Sequence, residues 1–478
     1  MKKTGLFKIL LFVLLGIVVT TWIFSASYYS DSAIQDLDMY NIGFFDFWQL
    51  LFGSFEFSYF IQILILIVSV GAFYGVLGKT GKYAAWVDRI AHNNRGNEFR
   101  FLVIISVLIA LLSSVFDYGF SLFIFYPLII SIILAMGYDK YTALIATFGA
   151  QLVGTIGSTL GYNTTGAIST ALSMDVKATI GVKIGLLAVS LGVMIYFLSK
   201  AKRNKNVFRN EKVDVFAGEK KPNKYSKTFI VIIFCLIAVM LVLGCTSWSN
   251  TFKVNYFTEL KDKFDAFEVK LPYFHITTKG IETGTEKVLI LKKIFGTFSA
   301  LGSWYYAEMA VVTLIAALLV GFRYRVSNLF ETMADGAKKM IKPGLMVMFA
   351  YTVVFFAGNT MFYPTIAELI LNITGKFNLF FATIVTALAS ALHVDMLYMS
   401  NYAVQQIAGS GASNQVAQIL SQGVYGVTML IAPTSAVLVL GLSYLGISYK
   451  EWVKKSWVFV LCLLAVVVVA SIVTMYVY

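Results

Sequence analysis

Three titratable side chains, Asp117, His393 and Asp395, sit inside otherwise apolar stretches. A carboxylate placed in hydrocarbon costs on the order of 3 kcal/mol and is kept where it faces a cavity or a partner. Asp117 therefore reads as a cation ligand, a proton carrier or the counter-ion of a cargo ammonium; the bland alternative is a structural bond to a backbone donor that holds a turn. His393 and Asp395, two residues apart, cannot share a helix face but can both line a turn. Neutral imidazole titrates near physiological pH, which suits a proton-handling pair, whereas a tip lying in outer water would make both ordinary. Small polar residues form two further clusters: Gly157, Ser158, Thr159, Asn163, Thr164 and Thr165 in one stretch, Pro433, Thr434 and Ser435 in another. Serine and threonine commonly pack helices in membranes. Where a helix is broken they also bring hydroxyls, bare carbonyls and half-helix N-termini to a small ligand. Asn359 and Thr360, after Gly358, could join such a site or mark a packing kink.

The elements that must carry these residues are apolar. The chain has 478 residues, 58% hydrophobic and 13% charged, with a mean hydropathy of +0.77, whereas soluble domains run near half apolar and a quarter charged. That excludes a water-soluble globular protein. Stretches of about 20 apolar residues, each able to cross a bilayer core as a helix, recur from end to end. Cys235, Cys245 and Cys462 show no CxxC-type spacing, so neither a disulfide framework nor a metal site is expected.

Charge placement predicts the topology. The first apolar segment follows Lys2, Lys3 and Lys8, and the stretch after it to Glu56 holds four aspartates and no Lys or Arg, so the N-terminus is read as cytoplasmic. The apolar run exceeds a signal-peptide core, and a retained helix is expected. A basic link over 200–227, with ten Lys or Arg against three acids, supplies much of the net charge of +13. It reads as a topology determinant attracted to anionic lipid, with no nucleic-acid partner. A connecting helix over 228–250 leads to an extracytoplasmic segment, 251–293, without a recognisable motif.

Two stretches predict interrupted geometry. Residues 101–137 form two apolar arms of about 16 residues, or roughly 24 Å of helix each, around Asp117, too short for comfortable crossings. A re-entrant hairpin is the expectation. Residues 141–174 carry no charge at all, and their glycines predict a broken span. The second half copies this order: a hairpin over 377–411 with His393 and Asp395 at its tip, then a span over 413–446 broken at Pro433. Thr164 and Thr165 overlie Thr434 and Ser435 at a shift of about 270 residues. An odd number of crossings between the halves, 1–199 and 294–478, makes the repeats inverted. The fold class expected is thus an all-α polytopic membrane protein of two inverted repeats, each with a re-entrant helical hairpin and a broken transmembrane helix.

The stretches FEFSYFIQILILIVSVGAFYGVLGKTG, GTIGSTLGYNTTGAIS and IAPTSAVLVLGLSYLGISYKEWVK resemble the C4-dicarboxylate anaerobic carrier family, in particular its basic amino-acid antiporter branch, within the ion transporter superfamily. The resemblance implies an alternating-access carrier in the bacterial cytoplasmic membrane, often a homodimer, coupled to Na⁺ or H⁺ or working by exchange, with no other cofactor. Gly157, Ser158, Thr159, Asn163, Thr164 and Thr165 match the family's first break, and Pro433, Thr434 and Ser435 its second. The tips depart from it: related carriers often place Ser, Asn or Thr where this chain has Asp117 and the run His393, Val394, Asp395.

The function expected is secondary active transport of a small carboxylate-bearing metabolite, an amino acid or an organic or dicarboxylic acid, with arginine/ornithine-type antiport as one alternative. An ion channel is the rival of another class. It would need a continuous pore instead of a gated site. An intramembrane protease is not supported, as neither HExxH nor glycine-flanked membrane aspartates occur, and no enzyme activity is expected.

Overall fold

The computed structural model describes residues 5–30, 33–37, 41–203, 216, 226–278, 280–393 and 395–478. Most of the basic link and Val394 lie outside the described residues. Among those described, seven helices are long and apolar enough to cross a membrane: Ser58–Lys79, Glu98–Val115, Ile180–Ser199, Thr228–Cys245, Tyr306–Tyr324, Leu329–Thr360 and Tyr449–Val477. Shorter apolar helices include Leu6–Thr21, Tyr126–Ala135, Leu379–Leu392 and Ala436–Leu445. The protein is mostly helical, as a chain must be when its backbone polar groups have to be satisfied within apolar surroundings.

One group of helices is built around Ser58–Lys79, which packs against both Tyr306–Tyr324 and Leu329–Thr360. Its closest crossing runs over glycines. A Cβ on Gly336 would lie 2.3 Å from the Gly71 carbonyl oxygen, and one on Gly75 would lie 2.7 Å from the Gly336 Cα. Backbones approach this closely only where side chains are missing, the small-residue logic of helix packing in lipid.

A second group holds the interrupted segments. Glu98–Val115 packs on Ala150–Ile156, and Asn414–Met429 packs on Leu379–Leu392 and on Tyr449–Val477. After Glu98–Val115 the chain turns through Asp117 and Gly119, both in the left-handed region at φ 55° and 52°, into a 3-10 turn at Gly119–Ile124 and the helix Tyr126–Ala135. The next stretch rises as Lys140–Leu144, a π turn at Ile145–Gly149 and Ala150–Ile156. It stops at Gly157 and resumes as Tyr162–Gly166 and Ala167–Ala171. In the second half, Leu379–Leu392 ends at His393 and the chain restarts at Met396–Met399; Asn414–Met429 stops and Ala436–Leu445 follows.

Leu329–Thr360 ends at Met361 (φ 48°), and Pro364 lies in the first turn of a new helix, Tyr363–Leu371. There its missing N–H costs nothing, because first-turn amides lack helical partners anyway. Residues 251–293 form the helix Tyr256–Asp265, a two-stranded antiparallel hairpin of Glu268–Thr277 and Gly280–Leu289, and the short helix Ile290–Phe295.

Candidate functional site

The two tips and the two breaks converge on a cavity of about 350 Å³. Asp117, Asn163, Thr164, Asp395 and Ser435 line it, together with Gln151, Thr155, Ala436 and Val437 and the aromatic rings of Tyr59, Phe120, Tyr306, Tyr351 and Tyr425. Among the described residues no Lys, Arg or His lines it.

Asp117 owes its position to its backbone. The left-handed turn is tolerated by aspartate better than by most residues, and it carries the carboxylate across to the first break. There Asp117 Oδ2 accepts a 2.6 Å bond from Thr164 Oγ1. Gly161 makes room for this approach, since a Cβ on it would lie 3.0 Å from Asp117 Cβ and 2.7 Å from Ser158 Oγ. Asp117 thus occupies the start of the half-helix that resumes at Tyr162, where a negative charge is favoured by the helix dipole.

Behind this contact the first break is held by a buried polar network. The carbonyl of Ser114 accepts from the amides of Thr159, Leu160 and Gly161, and Ser114 Oγ donates 2.8 Å to the Gly157 carbonyl. Thr165 Oγ1 lies 2.8 Å from the Ser158 carbonyl and 2.6 Å from Gln422 Oε1. Gln422 Nε2 donates to the carbonyls of Ile156 and Ser158 at 3.1 and 2.9 Å. One helical turn away, Gln418 Nε2 donates 2.7 Å to Ser169 Oγ and Gln418 Oε1 accepts from Thr179. Breaking a helix strands carbonyls that cost several kcal/mol each in an apolar setting; Gln422 satisfies two of them, while Gln418 ties together the hydroxyls of Ser169 and Thr179. Gly157, Ser158, Thr159 and Thr165 therefore stand behind the cavity wall, while Asn163 and Thr164 reach its surface.

The second tip follows a related scheme. Asp395 caps the helix Met396–Met399 through a 3.0 Å bond from the Leu397 amide to Oδ1, and its Oδ2 accepts 3.0 Å from Tyr59 Oη. His393 is fully buried with its ring edge-to-face on Tyr363 at 5.7 Å, and it does not line the cavity. At the second break Thr434 Oγ1 donates 2.7 Å to the Ala391 carbonyl, tying the break to the arm of the tip, and Ser435 Oγ caps the Leu438 amide at 3.3 Å. Thr434 and Pro433 sit behind Ser435. Asn359 and Thr360 lie elsewhere, each bonded back to its own helix at 2.7 Å, to the carbonyls of Phe355 and Phe356.

Three helix starts thus meet at one cavity, and they are not equivalent. The one at Tyr162 is occupied by Asp117 and the one at Met396 by Asp395. The third, at Ala436, is capped only by a neutral serine, leaving the Ala436 and Val437 amides outside that cap. Sequence reasoning missed Tyr59, Phe120, Tyr306 and Tyr351 altogether. Gln151, Gln418 and Gln422 did leave a signal: they are amides in nearly uncharged apolar runs, and Gln151 and Gln422 occupy matching places before the two breaks.

Comparison with known proteins identifies the family. A protein of Haemophilus influenzae without an assigned function is 21% identical over 433 residues, covering 85% of this chain and 74% of its own. The Escherichia coli K12 protein named "Putative basic amino acid antiporter YfcC" is 22% identical over 415 residues, covering 82% and 73%. Among solved structures, the YdaH transporter of Alcanivorax borkumensis matches 98% of both chains with a TM-score of 0.43 and 13% identity. The family model described as C4-dicarboxylate anaerobic carrier matches residues 4–476: the chain belongs to that family and is a multi-pass membrane transporter.

Proposed function

We propose that the protein is a secondary active carrier of amino acids or closely related ammonium-bearing carboxylates, working by alternating access in the bacterial cytoplasmic membrane with its N-terminus inside. The observation that carries this reading is the inequality of the three helix starts around the cavity. The open start at Ala436 suits the cargo carboxylate, and Asp117 and Asp395 suit its cationic nitrogen. Asn163, Thr164 and Ser435 line the space between them. A dicarboxylate would bring two negative charges into a cavity that already holds two and offers no basic side chain, so it is the disfavoured cargo despite the family's description.

In this reading the two interrupted units are inverted repeats whose tips enter from opposite sides, and the cavity lies near the bilayer midplane. The buried networks around Gly157, Ser158, Thr159 and Thr165, and around Pro433 and Thr434, keep the breaks rigid while the cargo is exchanged. His393 and the pair Asn359 and Thr360 act at a distance from the cargo, as packing residues. Na⁺ or H⁺ entry, or exchange against a second cargo, drives the cycle, and a homodimer is the working unit. Two acids facing one open carboxylate seat also favour a cargo with a second positive charge, the basic amino-acid antiport suggested by the name of the E. coli relative.

The test is counterflow of labelled amino acids in proteoliposomes, with dicarboxylates as competitors. Saturable exchange inhibited by amino acids and not by dicarboxylates is expected. Inhibition by dicarboxylates alone, or ohmic single-channel steps, would overturn the reading.

A further inference from the structure

Four rings at the cavity close on themselves. Tyr59 lies 5.8 Å from Tyr306, Tyr306 5.8 Å from Phe120, Phe120 6.3 Å from Tyr351, and Tyr351 6.0 Å from Tyr59, centroid to centroid. Their planes meet at 50° to 89°, so the quartet forms the walls of a cup and not a stack. The four come from three helices and the first tip, and all four line the cavity. For a square with sides of this length the centre is about 4 Å from each centroid, inside the roughly 6 Å reach of a cation–π contact.

The polar edges of the cup are already engaged. Tyr59 Oη donates to Asp395 Oδ2, and Asp395 Oδ1 takes the Leu397 amide; Asp117 Oδ2 takes Thr164. The two carboxylates therefore offer negative charge while part of their hydrogen-bonding capacity is spent. A primary ammonium carries three donors and loses its hydration on entry. An alkylated ammonium keeps the charge, needs fewer acceptors, and is the type of cation that aromatic cages take up.

We propose that this quartet is a specificity element that selects N-methylated ammonium cargo, so that zwitterions with a trimethylammonium head bind more tightly than their parent amines. The inference rests on the reading that the cationic group of the cargo lies between Asp117 and Asp395. The cup supplies the wall against which the methyl groups pack.

The experiment measures Kd by competition on the purified full-length protein for two pairs, glycine against trimethylglycine and lysine against Nε-trimethyllysine. A Kd lower by roughly tenfold for at least one methylated partner is expected, the scale of a desolvated cation–π gain. Tyr351→Phe, which keeps the ring, should retain the preference, and Tyr351→Leu should erase it; thermal melting of both variants reports whether each is folded. If the parent amines bind and methylation leaves Kd unchanged or raises it, this inference is overturned while the amino-acid reading stands. If a folded Tyr351→Leu keeps the full preference, the assignment to the quartet is likewise overturned. If neither member of either pair binds, both fall together.

Discussion

Thr164 donates its hydroxyl to Asp117 across 2.6 Å, joining the tip of one helical unit to the restart of the broken helix beside it. The bond places the carboxylate on a half-helix start and closes the cavity wall at the same point. Removing either partner should therefore change ligand affinity and local rigidity to different degrees.

Asp117→Asn keeps the shape of the side chain and the tolerance of a left-handed turn, since asparagine also visits that region. A folded protein is expected, with Kd for an amine-bearing cargo raised about tenfold or more as one of the two counter-charges is lost. Asp117→Leu adds backbone strain of about 1–2 kcal/mol and should melt lower than Asp117→Asn. Equal affinities of wild type and Asp117→Asn for every amine tested would contradict the role given to the carboxylate.

Thr164→Val removes the donor and leaves Asp117 charged. Its charge is then held less firmly, so a several-fold weaker affinity is expected, smaller than that of Asp117→Asn. Isothermal titration of the two variants side by side checks the order.

Gln422→Leu strips partners from the carbonyls of Ile156 and Ser158 and from Thr165. Each buried polar group left unsatisfied costs about 1–3 kcal/mol. The variant should lose several degrees in melting temperature and also transport poorly, although Gln422 does not line the cavity. Unchanged melting would show that water can replace the glutamine.

The carboxylate seat at Ala436 predicts a chemical test that leaves the protein intact. Converting the carboxylate of a bound amino acid to an amide or methyl ester should weaken binding about tenfold, the scale of one charge-assisted contact. Equal binding of acid and amide in competition would remove the cargo carboxylate from the Ala436 helix start.

Gly336→Val places a branched side chain where even a Cβ would lie 2.3 Å from the Gly71 carbonyl, and no folded protein is expected by size exclusion. Gly181→Ala is the control. A Cβ there has nothing within 4 Å, and a helical alanine in place of glycine should be neutral or gain up to about 1 kcal/mol.

Much of this protein is written locally. Long uncharged runs specify spanning helices because lipid leaves backbone groups no partner outside the helix. Gly157, Gly161 and Pro433 specify interruptions because glycine and proline weaken or cannot continue a helix. Asp117 and Asp395 stood out because a charge in an apolar run is costly.

The composition of the cavity was decided by the tertiary fold. Tyr59, Phe120, Tyr306 and Tyr351 are four aromatics among many in a chain that is 15% aromatic, and no spacing links them. They form a cup only because helices far apart in sequence pack side by side. The exclusion of His393, and the placing of Asn359 and Thr360 away from the site, were settled the same way. A periodic pattern shows that a residue is buried, and only the packing partner determines whether it meets a cavity or another side chain.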